Sequence, residues 1–260
     1  MKYGFIGCGN MGSAIATSLS KTTRDFLITD RSGKAKALAD QLGCVYGTAA
    51  QAAGCDRVFL AVKPQMMASA VLSIQPVLQE KKPLLITMAG GLSMEKIEAL
   101  AGIRLPVIRI MPNTPVAVGK GVILYCLNDL VEDEVLADFL KDLQYAGHLE
   151  PVDETLMDAA GTVSGCGPAY AYLFLEAMAD GAVACGVPRA TALRLAAATL
   201  EGAAEMVLAT GRHPGVLKDE VCSPGGSTIA GVKALEAHGF RGAVMDCITA
   251  ACQRNRELGK

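Results

Sequence analysis

Residues 1–152 alternate short apolar runs, rich in β-branched residues, with segments of helical periodicity, and this alternation constrains the fold more than any other feature. A strand, a helix and another strand are the repeating unit of a parallel sheet with helices on its faces. Runs that are apolar throughout, such as Val58–Val62, fit strands buried on both faces. The sequence therefore predicts an α/β fold with a doubly wound sheet. The predicted strands are Tyr3–Gly7, Phe26–Asp30, Cys44–Tyr46, Val58–Val62, Leu84–Met88 and Val107–Met111, with Gly121–Cys126 and His148–Val152 as candidates for two more, and the predicted helices are Asn10–Ser20, Ser32–Leu42, Met66–Leu78, Ser93–Ala101 and Glu132–Tyr145.

After residue 152 the sequence changes character, because helical patterns follow one another and no convincing strand remains. The segment Ala169–Cys185 is apolar almost all round, and a helix of that kind must be buried on most of its sides. A helical domain of this size would struggle to bury that surface alone, so we expect a homo-oligomer. The sequence thus predicts a second, all-α domain over residues 153–260, with helices near 154–163, 168–185, 189–209, 214–222, 227–237 and 240–257.

The bulk composition argues against several classes of function. A formal net charge of −2 gives no electrostatic reason to expect nucleic acid or an anionic membrane as a partner. Neither a secretory signal nor an apolar run of about 18 residues is evident, so no membrane span is predicted. The nine cysteines form no Cys-x-x-Cys pair and are interpreted as reduced thiols of a cytoplasmic protein. Because the three histidines are isolated, no metal site is predicted.

A glycine-rich turn follows the first predicted strand. The residues read Gly-x-Gly-x-x-Gly, open a predicted helix, and are followed by Asp30 at the end of the second strand. In this context the glycines permit a tight turn and the close approach of a pyrophosphate, which binds at the helix N-terminus. The motif therefore predicts a Rossmann-type dinucleotide-binding domain over residues 1–152. Its predicted cofactor contacts are Gly7, Cys8, Gly9, Asn10, Met11 and Gly12.

The residues after the second strand indicate both possible nicotinamide cofactors. Asp30 is typical of a site that accepts the ribose hydroxyls of NAD and repels the 2′-phosphate of NADP. Arg31, with Ser32 and Lys34 beside it, is able to hold that phosphate. Which side chain faces the ribose depends on where the strand ends, so both cofactors stay open on these residues alone. We count Arg31 and Ser32 among the predicted cofactor contacts.

Further candidate ligands lie where later strands end, since open α/β sheets bind ligands at that edge. Ala61–Gln65 and Arg109–Pro115 carry prolines that stiffen a loop. Asn113 offers both a donor and an acceptor to a carboxamide or a ribose. At Ala89–Gly91 the glycines let backbone approach a flat ring closely.

The second domain carries its own anion-binding pattern. Pro224–Gly226 leads straight into Ser227 and Thr228 at the start of a predicted helix. Unpaired backbone N–H groups, the positive end of the helix dipole and two hydroxyls suit a bound carboxylate or phosphate. A glycine-broken junction at Ser164–Ala169 is interpreted either as a packing break between helices or as a close approach of backbone to a ligand.

Five segments together resemble the pyrroline-5-carboxylate reductase family, over essentially the whole chain. The most specific of them is the stretch within Asp219–Glu236 that contains Ser-Pro-Gly-Gly-Ser-Thr. The resemblance implies a Rossmann domain, a helical dimerisation domain, and hydride transfer from a reduced nicotinamide to the cyclic imine 1-pyrroline-5-carboxylate, giving L-proline in the last step of proline biosynthesis. The segments that carry it are Gly7–Gly12, Ala61–Gln65, Arg109–Pro115, Ser164–Ala169 and His213–Thr228.

The resemblance also implies roles for individual residues. The substrate carboxylate would be held at Gly225–Thr228, with Thr228 as the catalytic candidate, and Glu154 matches an acid near the substrate nitrogen. By the same comparison NADPH is expected to be modestly preferred, with NADH possible. The implied substrate contacts are Gly225, Gly226, Ser227, Thr228 and Glu154, and the implied cofactor contacts are Val62, Lys63, Pro64 and Ala89.

Two other classes stay open on the residues. A dehydrogenase of a small hydroxy acid would need a general acid–base facing the cofactor, and the second domain offers no evident candidate among Lys218, Lys233 and His213. A non-catalytic dinucleotide sensor would not need the anion turn. The chain also departs from the family pattern at Asp30, at Thr48 in place of an asparagine, and at Glu220 in place of a neutral amide, which bears on cofactor preference rather than on the reaction.

Overall fold

The computed structural model describes residues 1–31 and 33–258. Within them, one eight-stranded sheet has the order β3-β2-β1-β4-β5-β6-β7-β8. Every predicted strand forms, with ends that differ by a residue or two, and the predicted α/β class is confirmed. The strands are β1 (Tyr3–Ile6), β2 (Phe26–Thr29), β3 (Val45–Tyr46), β4 (Arg57–Leu60), β5 (Leu84–Thr87), β6 (Val107–Pro112), β7 (Gly121–Leu127) and β8 (Gly147–Pro151).

Helices connect most of these strands and make up most of the described residues after β8. Short 3₁₀ turns occur at Thr114–Val118 and Glu154–Leu156. The helices are α1 (Asn10–Leu19), α2 (Lys34–Leu42), α3 (Ala49–Ala53), α4 (Pro64–Lys81), α5 (Met94–Ala101), α6 (Asp133–Asp142), α7 (Met157–Ser164), α8 (Gly167–Ala184), α9 (Arg189–Thr210), α10 (Pro214–Val221), α11 (Ser227–Ala237) and α12 (Phe240–Leu258).

Strand direction follows from the length of the connections. β1 to β6 run parallel, and the chain reverses its direction of winding between β3 and β4, which lie on opposite sides of β1. β7 is antiparallel to β6 because the short 3₁₀ connection at Thr114–Val118 is too short for a crossover. The longer connection through α6 brings β8 back parallel to β7.

The core covers both faces of the sheet, and successive residues of each strand enter opposite halves of it. Phe5 stacks on Phe59 with ring centroids 4.3 Å apart and packs with α1 and α6. Their neighbours Ile6 and Leu60 point the other way and pack with α4 and α5. This alternation fixes β1 and β4 in register and sets the level at which both strands end.

A buried polar cluster closes the amino edge of the sheet. The Arg57 guanidinium donates to the Tyr3 hydroxyl at 2.8 Å and to Asp138 at 3.2 Å. Asp142, 7% exposed at its side chain, accepts from Tyr3 at 2.6 Å and pairs with Lys2 at 2.7 Å. Burial, reinforced by Asp142, raises the pKa of the Tyr3 phenol well above its usual range. The cluster thus ties β1 and β4 to the end of α6.

The described chain divides into two compact units. The first is Met1–Pro168 together with the residues from Ala251 onward, and the second is Ala169–Ala250. In the second unit Phe174 of α8 contacts Phe240 of α12 with ring centroids 5.8 Å apart. Many large apolar side chains of this unit are exposed, including Leu173, Leu195 and Leu208. In residues 1–31 and 33–258, no helix is both long enough and apolar enough to cross a membrane.

Candidate functional site

The glycine-rich turn forms an open cradle between β1 and α1. Gly7 adopts φ +99°, and a Cβ there would come within 2.6 Å of the Ala61 carbonyl oxygen. A Cβ on Gly12 would lie 2.7 Å from the Gly7 oxygen, whereas one on Gly9 would project into open space. Gly9 caps α1 without a side-chain hydrogen bond, so the first-turn N–H groups of the helix point at that open space. The cradle therefore fits the pyrophosphate of a dinucleotide.

Asp30 is tied to the cradle. Its Oδ2 accepts a hydrogen bond from the Cys8 N–H at 2.9 Å. Burial, and then the charge of Asp30, raise the pKa of the Cys8 thiol to about 12, which leaves the thiol neutral and unreactive. Asp30 therefore holds the peptide group between Gly7 and Cys8 in place.

The neighbouring basic residue is open to solvent. Arg31 is exposed and its Nη2 lies 3.3 Å from the Met66 sulfur at the start of α4. Arg31 directly follows Asp30, which is bonded to the cradle, and its predicted role as a phosphate ligand stays a prediction. Ser32, predicted with it, lies outside the described residues.

The segments after β4 and β5 lie at the same carboxyl edge of the sheet as the cradle, and the one after β4 contacts it. A Cβ on Gly7 would lie 2.9 Å from Val62 Cγ1, so Val62 forms a wall of the cradle. Lys63 is exposed at the N-cap of α4, and Pro64 is the first residue of that helix. Ala89 is buried at the end of β5, and Gly91 takes φ +74° in the loop that leads to α5.

Asn113 has partners within the protein at both ends of its amide. Its Oδ1 accepts from the Val122 N–H at 2.9 Å, and its Nδ2 donates to the Ser164 carbonyl at 2.8 Å. The side chain is buried and bridges the end of β6 to the last residue of α7. Its predicted contact with the cofactor stays a prediction, and the bridging geometry is what the structure adds.

Glu154 belongs to an ion cluster around the buried Arg109. Its Oε1 accepts from Arg109 Nη1 at 3.2 Å and from the Met94 N–H at 2.8 Å, and Arg109 also donates to Asp158 at 2.9 Å. The family resemblance implies that Glu154 lies near the substrate, but it does not predict these contacts. The sequence does contain a sign of them, which is an arginine inside an otherwise apolar strand, since a buried cation needs carboxylate partners.

The anion turn lies in the second unit. Gly225 takes φ +68°, a conformation that favours glycine, and a Cβ on Gly226 would meet the Ser223 Oγ at 2.3 Å, so a side chain there would require Ser223 to move. Gly226 is the N-cap of α11 and makes no side-chain cap. Ser227 and Thr228 are the first two residues of the helix and are exposed. The hydroxyl of Thr228 is thus presented at an open helix N-terminus.

Local side-chain contacts stabilise the segment that precedes this turn, residues 212–221. His213 is the N-cap of α10, and its Nδ1 accepts from the Gly215 N–H at 3.0 Å. Glu220 pairs with Arg212, and the hydrogen bond from Arg212 lowers the pKa of this carboxyl. Glu220, which replaces a neutral amide of the family pattern, is therefore neutralised locally by Arg212.

Comparison with known proteins identifies both parts of the chain. Residues 154–258 match the family model described as pyrroline-5-carboxylate reductase dimerisation. Residues 2–91 match the one described as NADP oxidoreductase, coenzyme F420-dependent. The amino-terminal match covers the cradle, and the carboxyl-terminal match covers Glu154 and the anion turn.

Individual relatives extend over the full length. The pyrroline-5-carboxylate reductase of Escherichia coli K12 is 41% identical over 100% of this chain and 98% of its own. That of Pisum sativum is 39% identical over 98% of this chain and 95% of its own. The crystal structure of the Plasmodium falciparum enzyme with NADP bound superposes with a TM-score of 0.88 at 34% identity, covering 100% of this chain and 98% of that one. With a glycine cradle for a dinucleotide, an open helix N-terminus for an acid and relatives of this identity over its whole length, the chain belongs to the pyrroline-5-carboxylate reductase family.

Proposed function

We propose that this protein reduces 1-pyrroline-5-carboxylate to L-proline with NAD(P)H, the last step of proline biosynthesis. The observation that carries the proposal is the 41% identity to a pyrroline-5-carboxylate reductase over the full length of both chains. The cradle at Gly7–Gly12 supports it independently, because this geometry suits a dinucleotide. The hydroxy-acid dehydrogenase and the dinucleotide sensor have no observation in their favour.

The proposed chemistry depends mainly on positioning. When bound, the reduced nicotinamide supplies the hydride. The first turn of α1 holds the pyrophosphate, and Val62–Pro64 and Ala89 line the rest of the dinucleotide. The turn at Gly225–Thr228 holds the substrate carboxylate through backbone N–H groups and the Thr228 hydroxyl. A cyclic imine takes its proton from solution, so the rate gain comes from orientation and from preorganised dipoles.

We further propose a modest preference for NADPH. Arg31 is exposed beside the cradle, where a 2′-phosphate has access to its guanidinium. One carboxylate oxygen of Asp30 accepts a hydrogen bond from the Cys8 N–H, which favours a role for Asp30 in shaping the cradle over a role in binding the ribose of NADH. The matched family description and the NADP-bound relative point the same way.

The helical residues from about 153 onward are proposed to form a homo-oligomer. α9 is 22 residues long and buries Ala192 and Ala196 within one chain, while Leu193, Leu195 and Leu208 of the same helix are exposed. Exposed leucines at that density along one helix need a partner surface. The matched family description names dimerisation for this part of the chain. The reduced cysteines agree with a cytoplasmic protein, which stays a prediction.

The test is consumption of reduced nicotinamide by the purified protein. With 1-pyrroline-5-carboxylate, the absorbance of NADPH should fall and L-proline should accumulate in equal amount. The same assay with NADH gives the cofactor preference, and a tenfold advantage for NADH would assign Asp30 to the ribose. The negative control is incubation with a hydroxy acid and NADP⁺, in which no NADPH should form. Absence of turnover with the imine under either cofactor would overturn the proposal.

A further inference from the structure

The buried guanidinium of Arg109 organises several elements around the middle of the sheet. Arg109 lies opposite Thr87 of β5 and Cys126 of β7, and its side chain is 5% exposed. A charge at this depth is strongly unfavourable unless it is paired and hydrogen-bonded. Two carboxylates meet that requirement, Glu154 at 3.2 Å and Asp158 at 2.9 Å. We call Arg109, Glu154 and Asp158 the Arg109 cluster.

The Arg109 cluster reaches the start of α5 through one oxygen atom. Glu154 Oε1, which accepts from Arg109, also accepts from the N–H of Met94, the first residue of α5. Ser93 caps the same helix from its own sequence by accepting from the Lys96 N–H. A carboxylate at a helix N-terminus also interacts favourably with the helix dipole. Arg109 therefore orients the Glu154 carboxylate, and this carboxylate fixes the first N–H group of α5.

The start of α5 is also the far end of the loop Ala89–Ser93. The near end of this loop is fixed because Ala89 is buried directly after β5. Between the two ends, Gly90 has open space at its Cβ position and Gly91 takes φ +74°. Inside the loop, Leu92 packs against the hydrophobic core, whereas the two glycines have no side chain to hold the backbone. The geometry of the loop is consequently set by Leu92 and by the two ends, one of which Glu154 holds.

The helix that follows Glu154 is fixed to the same strand. Arg109, Met111 and Asn113 alternate along one face of the chain, as i, i+2 and i+4 residues of an extended segment do. They contact Asp158, Gly161 and Ser164 of α7 in order, and a Cβ on Gly161 would lie 2.1 Å from the Met111 sulfur. Asp153 steadies the intervening turn by accepting from the Thr155 N–H. Glu154 therefore extends from a rigid base.

We propose that Glu154 is a positioning residue, which is held by Arg109 and fixes the start of α5 and with it the Ala89–Ser93 loop against the nicotinamide end of the cofactor. This inference rests on the proposed function, which puts Ala89 along the cofactor. In this role Glu154 does not contact the substrate. Removal of its carboxylate alters how the substrate and the nicotinamide are aligned more than how tightly they bind.

The kinetic test compares Glu154→Gln, Glu154→Ala and the control Glu150→Gln. Glu150 is an exposed carboxylate on β8 that contacts His148 and makes no contact with α5. We expect kcat to fall about tenfold to a hundredfold in Glu154→Ala and less in Glu154→Gln, since small misplacements far from the chemistry have effects of that order. The KM for the imine and the Kd for NADPH should change by less than about threefold, and Glu150→Gln should match the wild type.

Two kinetic outcomes would overturn the proposal. A rise in the KM for the imine that accounts for the whole loss would mean that Glu154 binds substrate. A lower melting temperature with unchanged kcat per folded molecule would mean that the contact is only structural. Glu154→Gln keeps the shape of the side chain, so it provides the answer if Glu154→Ala does not fold.

A second measurement needs no turnover. Amide hydrogen exchange of the cofactor-free protein should be faster over residues 89–97 in Glu154→Ala than in the wild type. Residues 10–19 of α1, which the Arg109 cluster does not touch, should exchange as before. Unchanged exchange over residues 89–97 would overturn the proposal. Because this readout is independent of the reaction, an inactive wild-type protein would refute the proposed function and leave the exchange result to be judged separately.

Discussion

Single residues shape the two turns that are proposed to bind anions. At the cradle, the Ala61 and Gly7 carbonyl oxygens leave no room for a side chain on Gly7 or Gly12. At the anion turn, a side chain on Gly226 would require Ser223 to move, and Gly226 takes the N-cap position that a serine or threonine often occupies. The hydroxyl of Thr228 is therefore not the cap of α11 and remains available to a ligand.

We predict that Thr228→Ala weakens the reaction without weakening the fold. Loss of one hydrogen bond to a charged carboxylate, worth about 1.5–3 kcal/mol, lowers kcat/KM for the imine about tenfold to a hundredfold. Calorimetry should show unchanged NADPH binding, because the cradle lies in the other compact unit. An unchanged kcat/KM, with or without a lower melting temperature, would remove Thr228 from the site.

We expect the thiols of Cys126, which is buried, and Cys44, which is partly buried, to make stability depend on pH. Burial, and then the charge of Glu154, raise the pKa of Cys126 to about 11, and burial raises that of Cys44 to about 11. Unfolding returns both thiols to about pKa 8.5, so the unfolded state releases protons first as the pH rises. Their contribution to stability is complete below that value and is lost as the pH rises toward 11.

We therefore expect the free energy of unfolding to fall between about pH 8 and pH 10.5. Cys126→Ala should lessen that fall, because it removes one of the thiols that ionise on unfolding. Urea titrations at the two pH values, performed under reducing conditions, measure the difference. Equal pH dependence of the wild type and of Cys126→Ala would contradict the assigned burial effect.

At the scale of elements, the sequence predicts well what depends on local pattern. The central strands follow from apolar runs, whereas β3 and β8 are short or polar edge strands, and the helices of the second part follow from periodicity and from glycine and proline. α3 was overlooked because five residues are too few to show a period, although Thr48 and Gln51 form a capping box at its start. Thr48, noted in the sequence as a departure from the family, is thus the N-cap of α3.

Long-range contacts are what the sequence could not supply. Arg109 and Glu154 are 45 residues apart, and nothing in their spacing shows that one carboxylate oxygen also accepts from Met94. The sequence shows Asn113 as a polar residue at a strand end, and its contact with the cofactor stays a prediction. That its amide would join Val122 to Ser164 depends on α7 packing along β6, which is a property of the folded chain.

The amino edge of the sheet offers a test of element packing. Arg57→Met leaves Asp142 buried and removes the donor to the Tyr3 hydroxyl, so we expect a loss of about 3 kcal/mol in the free energy of unfolding. Urea denaturation measures it. Lys36→Met, which breaks an exposed pair with Asp40, is the matched control and should cost less than about 1 kcal/mol.

Binding of NADPH provides the internal check on that variant. β1 begins at Tyr3 and β4 begins at Arg57, and both strands end next to the cradle, so the substitution lies at the opposite edge of the sheet. The Kd for NADPH measured on folded protein should stay within about twofold of the wild type. A large loss of affinity would show that the two edges of the sheet are coupled.

At the scale of the whole molecule, the second unit leaves too much apolar surface open to stand alone. α8 and α9 bury few of their own residues, and large side chains such as Leu173, Leu195 and Leu208 are more than half exposed. Obligate interfaces resemble a divided core, so this pattern is typical of a subunit. The surface is made of helices, as the apolar run at Ala169–Cys185 predicted.

We expect light scattering to give at least a dimer at micromolar concentration, and the melting temperature to rise with protein concentration. Leu208→Glu, which puts a charge on the open face of α9, should weaken the assembly. Leu72→Glu on α4 of the first unit is the control, since Leu72 is exposed but outside the helical unit. A folded and active monomer would contradict the expectation.

The return of α12 to the first unit has a consequence for how the protein is made. Residues from Ala251 onward belong with the Rossmann sheet, and Asn255 donates to the Asp158 carbonyl at 3.3 Å. A ribosome delivers that segment only after the whole helical unit has been synthesised. The Rossmann unit of the nascent chain therefore lacks this segment while the apolar helices of the second unit are synthesised. We expect the chain to depend most on a chaperone during that interval, because its apolar surface is then exposed.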